Sequence, residues 1–233
     1  MYWEQKPLSY EICIPPLKKP FSRLTHQETE EYFQWHLSHL SERISYLSSV
    51  VSNSLAIHQS ELDLSPGSLL PLWSWFLAVA ELEPTPMARL MELNQQYHTH
   101  LEQIRAYLLD QSQDQFSLET EFILRDVGMY LGQVFTKNEP GIYWSYYEKP
   151  KSDFFVNMPV LLGFEDSNYH PPFKMVFEPL HMAKVQAAKI WYNTQREDDL
   201  FRIYSMWAKN FVPSVKRKTF TAEPDNANEG YSP

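Results

Sequence analysis

Apolar residues recur at Phe33, Leu37, Leu40, Ile44, Leu47 and Val51, at spacings of 4, 3, 4, 3 and 4. That rhythm keeps them on one face and predicts an amphipathic α-helix of about seven turns. Thr25, three residues before Glu28, supplies a capping box at its start. Glu30 and Glu31 add negative charge near the positive end of its dipole. After a polar connection from Asn53 to Asp63, Ser65-Pro66 reads as N-cap and first-turn proline of a second helix, running to about Glu81. Its apolar residues (Leu69, Leu70, Leu72, Trp73, Trp75, Phe76, Leu77, Val79) surround it nearly completely, the mark of a buried helix. Pro84 and Pro86 end it, and Thr85-Pro86 opens a third helix to about Leu109. Ser117 caps a fourth, Leu118 to about Lys137, with Ile123, Val127, Tyr130, Leu131, Val134 and Phe135 on its apolar face. Gly128 and Gly132 stand four apart inside it, each costing about 1 kcal/mol against alanine. Only six glycines occur in the chain, so two on one ridge predict close approach of another element.

The rhythm changes at Glu139-Pro140-Gly141. Ile142–Tyr147, Pro159–Phe164 and Phe173–Phe177 are rich in aromatic and β-branched residues and read as strands. Two helices follow, about His181 to Asn193 and Asp198 to Phe211. The order predicts an α+β fold: an N-terminal four-helix region, a small, mostly antiparallel sheet and a C-terminal helix pair. A three-stranded sheet needs a covering layer, so residues 25–213 are expected to form one domain. Residues 1–24 read as an irregular arm with a candidate short strand over Leu8–Ile14. Residues 214–233 have no apolar face and read as a disordered tail.

Composition narrows the class. The chain has 233 residues, 43% hydrophobic and 15% aromatic, which fits a globular protein and excludes global disorder. Net charge is −9 without a basic stripe, which argues against nucleic acid and for solubility or a basic partner. The single cysteine, Cys13, excludes an intramolecular disulfide and a Cys-built zinc site. No 18-residue apolar run and no signal-peptide pattern is present, so the expected location is cytoplasmic, with no membrane.

Chemical motifs are sparse. His36 and His39 are spaced for chelation from one helical face, yet read mostly as polar-side residues, and no Glu-x-x-His accompanies them. His98 and His100 diverge on a helix. Neither metal nor cofactor is called for. Glu119 and Glu121 suit the first turn of the fourth helix, and Glu121–Arg125 is spaced as an i,i+4 ion pair. No Gly-x-Ser-x-Gly or phosphate loop occurs. The candidate pocket, between the fourth helix and the sheet, involves Asp126, Tyr130 and Asn157. The candidate partner surface is the polar–aromatic stretch with Tyr143, Trp144, Tyr146, Tyr147, Lys149 and Asp153. Strand alternation puts Tyr143 and Ser145 on one face, Trp144 and Tyr146 on the other.

The strings PFSRLTHQETEEYFQWHL (20–37), SPGSLLPLWSWFL (65–77), LRDVGMYLGQVF (124–135), KSDFFVNMPVLLGF (151–164) and PPFKMVFEP (171–179) together resemble a family of uncharacterised bacterial cytosolic proteins, over about residues 20 to 211. The resemblance implies no catalytic residue. By analogy of class with small acidic bacterial proteins, it points to an immunity or antitoxin role. The expected function is therefore a non-enzymatic protein-binding module that occludes a partner such as a basic toxin. The alternative is an enzyme of unrecognised type that uses the pocket between the fourth helix and the sheet.

Overall fold

The computed structural model describes residues 10–82, 98–109, 116–148 and 153–213. Expectations for the first nine residues, for the third helix before His98, for Lys149 and for the tail 214–233 lie outside them.

Helix α1 spans His26–Leu55. Its capping box forms as expected: Thr25 Oγ1 accepts from the Glu28 amide, and Glu28 Oε2 accepts from the Thr25 amide at 2.8 Å. Pro66–Ser68 makes a 3-10 turn that leads into α2, Leu69–Val79, with Trp73, Trp75 and Phe76 fully buried. A short α3 covers Leu101–Leu109. Ser117 caps α4, Leu118–Asn138, its Oγ accepting from the Thr120 amide. Every residue of α4 from Thr120 to Gly132 is buried, so this helix is the axis of the core. Around it pack α1, α2, strand β1 and the last two helices, α5 (Pro179–Ala187) and α6 (Asp199–Phe211).

The sheet is antiparallel in the order β1 (Tyr143–Tyr146), β2 (Pro159–Asp166), β3 (Phe173–Phe177). Trp144 stands opposite Leu161, and Phe164 opposite Met175. The described helices pack on one of its faces. Phe135 of α4 and Trp207 of α6 meet Phe164 and Phe177 there, edge to face at centroid separations of 4.8–5.3 Å. The fold is thus α+β, with the helical region and the sheet segregated as expected.

The glycine ridge explains how closely these layers approach. A Cβ on Gly128 would lie 2.7 Å from Leu180 Cα, at the start of α5. A Cβ on Gly132 would fall inside the Trp144 indole. Two glycines therefore let α5 and β1 press directly on the backbone of α4.

Three local expectations turn out differently. Tyr10–Ile14 forms no strand, because the carbonyls of Glu11 and Cys13 accept from Arg43 and Arg125 instead of from a neighbouring strand. The helix expected from His181 begins two residues earlier. Glu178 is its N-cap and Pro179 its first residue, and it tightens into a 3-10 turn at Ala188–Tyr192. His36 is not on a polar side: it is only 6% exposed.

Candidate functional site

Three places in the structure gather polar chemistry. The first is a buried charge cluster. Arg43 of α1 and Arg125 of α4 share the carboxylate of Asp126, and all three are at most 3% exposed. Asp126 Oδ2 accepts from Arg43 Nη2 at 2.7 Å and Nε at 3.0 Å, and from the Tyr10 hydroxyl at 2.7 Å. Oδ1 accepts from Arg125 Nη2 at 2.9 Å and Nε at 3.0 Å. A carboxylate with five donors is saturated and cut off from solvent, so Asp126 holds the arm and two helices together and has no reach to a substrate. Burial and the adjacent Asp126 charge raise the Tyr10 phenol well above its ordinary value, so it stays a donor.

The i,i+4 pair expected between Glu121 and Arg125 does not form. Glu121 meets Lys184 of α5 at 2.5 Å, and Arg125 turns to Asp126 and to the Cys13 carbonyl. Both residues face the core, where Lys184 for Glu121, and Asp126 and the Cys13 carbonyl for Arg125, displace a partner one turn away.

The second place is a crevice of about 30 Å³ between α4 and β1, closed by α1, α3 and the start of α5. A cavity between the fourth helix and the sheet was expected, but other residues line it. Asp126 points into the charge cluster. Tyr130 is fully buried, its hydroxyl donating to Ser68 Oγ at 2.7 Å and accepting from the Leu64 amide at 3.2 Å. Asn157 sits at φ 64°, its side-chain amide donating to the Phe21 and Leu24 carbonyls at 2.8 and 3.3 Å. All three tie loops to helices, and the structure does not bring them together. Its polar lining comes instead from Tyr32, His36, Tyr107, Arg125 and Glu178. Burial lowers the His36 imidazole to about 3, aided by the Arg125 charge, so it is neutral. Burial raises Glu178 to about 7, against its bonds from the His181 and Leu180 amides and the pull of Lys184. Pro179 gave a legible signal as a first-turn proline, but Glu is not a favoured N-cap and Glu178 itself had none. Tyr107 had none.

The third place is the sheet face away from the described helices. Tyr143, Ser145, Tyr147, Leu162, Glu165 and Lys174 border an open groove of about 620 Å³ there. The six residues expected to form a partner surface divide. Tyr143 is 55% exposed and Tyr147 half-buried beside the groove. Trp144 points inward, 4.7 Å from the His36 ring, and donates from its indole to Gln133 at 3.3 Å. Tyr146 packs edge-on against Phe33, at 5.3 Å, and loss of solvent, with neighbouring Glu30 and Glu148, raises its phenol to about 12. Asp153 turns its own loop, Oδ1 accepting from the Phe155 amide at 2.9 Å. Lys149 lies outside the described residues.

Among the described residues no group of three or more His, Cys, Asp or Glu side chains is placed to hold a metal ion, and no helix is long and apolar enough to cross a membrane. No protein-family model matches the chain, and neither a curated protein nor a solved structure is found to be similar to it.

Proposed function

We propose that the chain is a non-enzymatic protein-binding module and that its contact surface is the outer face of the sheet. The observation that carries this reading is the open groove on a sheet whose described helices all pack on the other side. Tyrosines and aliphatic side chains in the groove, with Glu148 and Glu165 among them, have the mixed aromatic and polar character of a partner surface. The net charge of −9 selects a basic partner and favours its encounter. In its narrower form, the module occludes a basic toxin. The enzyme reading has the crevice in its favour, but about 30 Å³ is an order of magnitude below an ordinary substrate pocket.

The test is photo-crosslinking in the source organism, with the crosslinking residue at position 143 or, as a control, at Tyr192, which is 76% exposed elsewhere. One basic protein captured from position 143 and not from 192 supports the reading, provided Leu162→Asp abolishes capture while the fold survives. Equal capture from both positions, or capture insensitive to Leu162→Asp, overturns it.

A further inference from the structure

The crevice beside α4 holds more donors and more positive charge than its own walls use. Arg43 and Arg125 share the single carboxylate of Asp126, which leaves one buried positive charge in excess. The carbonyls of Glu11 and Cys13 each accept from one guanidinium, which orients the pair without neutralising it. Arg125 belongs to the wall of the crevice, together with Tyr107 and His36. Tyr107, 1% exposed, has a hydroxyl with no hydrogen-bond partner among the described residues. The same holds for Nε2 of His36, itself 94% buried. An unpaired buried polar group is costly, and two against one crevice imply a shared ligand.

The ligand is small. A space of about 30 Å³ admits one small ion or roughly two waters. Its sign follows from the walls. Arg125 is a fixed cation, the Tyr107 hydroxyl can donate, and a neutral His36 donates from Nε2 in the tautomer that carries its proton there. Glu178 is the one carboxylate that lines the crevice among the described residues. Its oxygens accept from the Leu180 and His181 amides, and burial disfavours its charged form, while Lys184 is paired with Glu121.

We propose that this crevice binds a single small monovalent anion, of the size of chloride or formate, held by Arg125, the Tyr107 hydroxyl and His36 Nε2–H. The anion neutralises the surplus charge of the buried cluster and joins α1, α3 and α4 at one point. This inference is independent of the sheet-face reading.

The test is thermal unfolding of the full chain at constant ionic strength, with gluconate exchanged for chloride or formate. Stabilisation should saturate, reaching about 5–10 °C at a hundredfold excess over Kd. Tyr107→Phe should move the midpoint of that titration to about tenfold higher anion, since it removes a hydrogen bond to a charged group. Crystals grown in bromide should show an anomalous peak in contact with the Tyr107 hydroxyl. The proposal fails if gluconate, chloride and formate give one melting temperature. It also fails if the crevice contains only water in bromide crystals, or if Tyr107→Phe raises stability equally in every salt.

Discussion

Tyr143 and Trp144 are adjacent in sequence and lie on opposite faces of β1, which makes them a matched pair of probes. Tyr143 is largely exposed beside the groove, whereas Trp144 covers Gly132 and touches His36. Tyr143→Ala should therefore leave stability within about 0.5 kcal/mol of the parent. If the sheet face binds a partner, the same change should weaken the complex about thirtyfold, as for an aromatic hot spot. Trp144→Ala should cost about 3 kcal/mol of stability, the low end for a core aromatic, because part of its ring is still wet. Denaturant unfolding and partner affinity measured on both variants separate the two effects. Loss of stability in Tyr143→Ala would place that ring in the core and remove it from the contact surface.

At the scale of elements, the contact of α4 with α5 and β1 rests on absent side chains. At Gly128 the obstacle to a Cβ is the backbone of Leu180, which cannot rotate away. At Gly132 it is the six-membered ring of an indole, which a Cβ would overlap outright, a side chain that has to swing aside by more than an ångström but is free of the backbone's constraint. Alanine adds about 1 kcal/mol of helix propensity at either position. Overpacking at Gly128 should outweigh that gain, so Gly128→Ala should be less stable than the parent and less stable than Gly132→Ala. Gly132→Leu should cost about 1–3 kcal/mol, a melting temperature lower by roughly 2–12 °C. Melting temperatures of the three variants decide the order. The ridge was legible in the sequence because a pair of glycines one turn apart carries its own message. So were the caps at Thr25 and Ser117, the order of elements and the parity of β1, all set by neighbours within a few residues. The partners of Arg125 were not legible. Spacing along the helix nominates Glu121, but burial brings Lys184 to Glu121 and Arg43 to the carboxylate of Asp126. His36 was misread for a related reason. Helix α1 packs against both α4 and β1, so its buried face is wider than the 3-4 seam of its aliphatic residues.

Across the whole molecule, two buried groups set opposing dependences on pH. Glu178 is raised to about 7 in the folded chain, so the folded state holds its proton more tightly than the unfolded state does. Its contribution is complete below the ordinary carboxylate range and is lost as pH rises through 7, a loss on the order of 3 kcal/mol. His36 is lowered to about 3, so its contribution is complete above 6.5 and is lost as pH falls toward 3. Glu178→Gln removes the first term alone. Melting temperatures from pH 5 to pH 8 should show that variant gaining on the parent as pH rises. A variant that instead loses ground to the parent toward alkaline pH would contradict the burial of a titrating Glu178.

The docking of the N-terminal arm also has a consequence for the order of events during synthesis. Tyr10 leaves the ribosome before its acceptor, Asp126, which lies 116 residues further along. Elongation at about 5–20 residues per second makes the arm wait roughly 6–23 s for its seat. Arg43 has already emerged by then and waits, hydrated, for the same carboxylate, 83 residues ahead. Arm, first helix and fourth helix therefore close on Asp126 together, after the sequence between them has been made. A nascent chain stalled before α4 should leave its arm open to protease, and one stalled well past α4 should protect it.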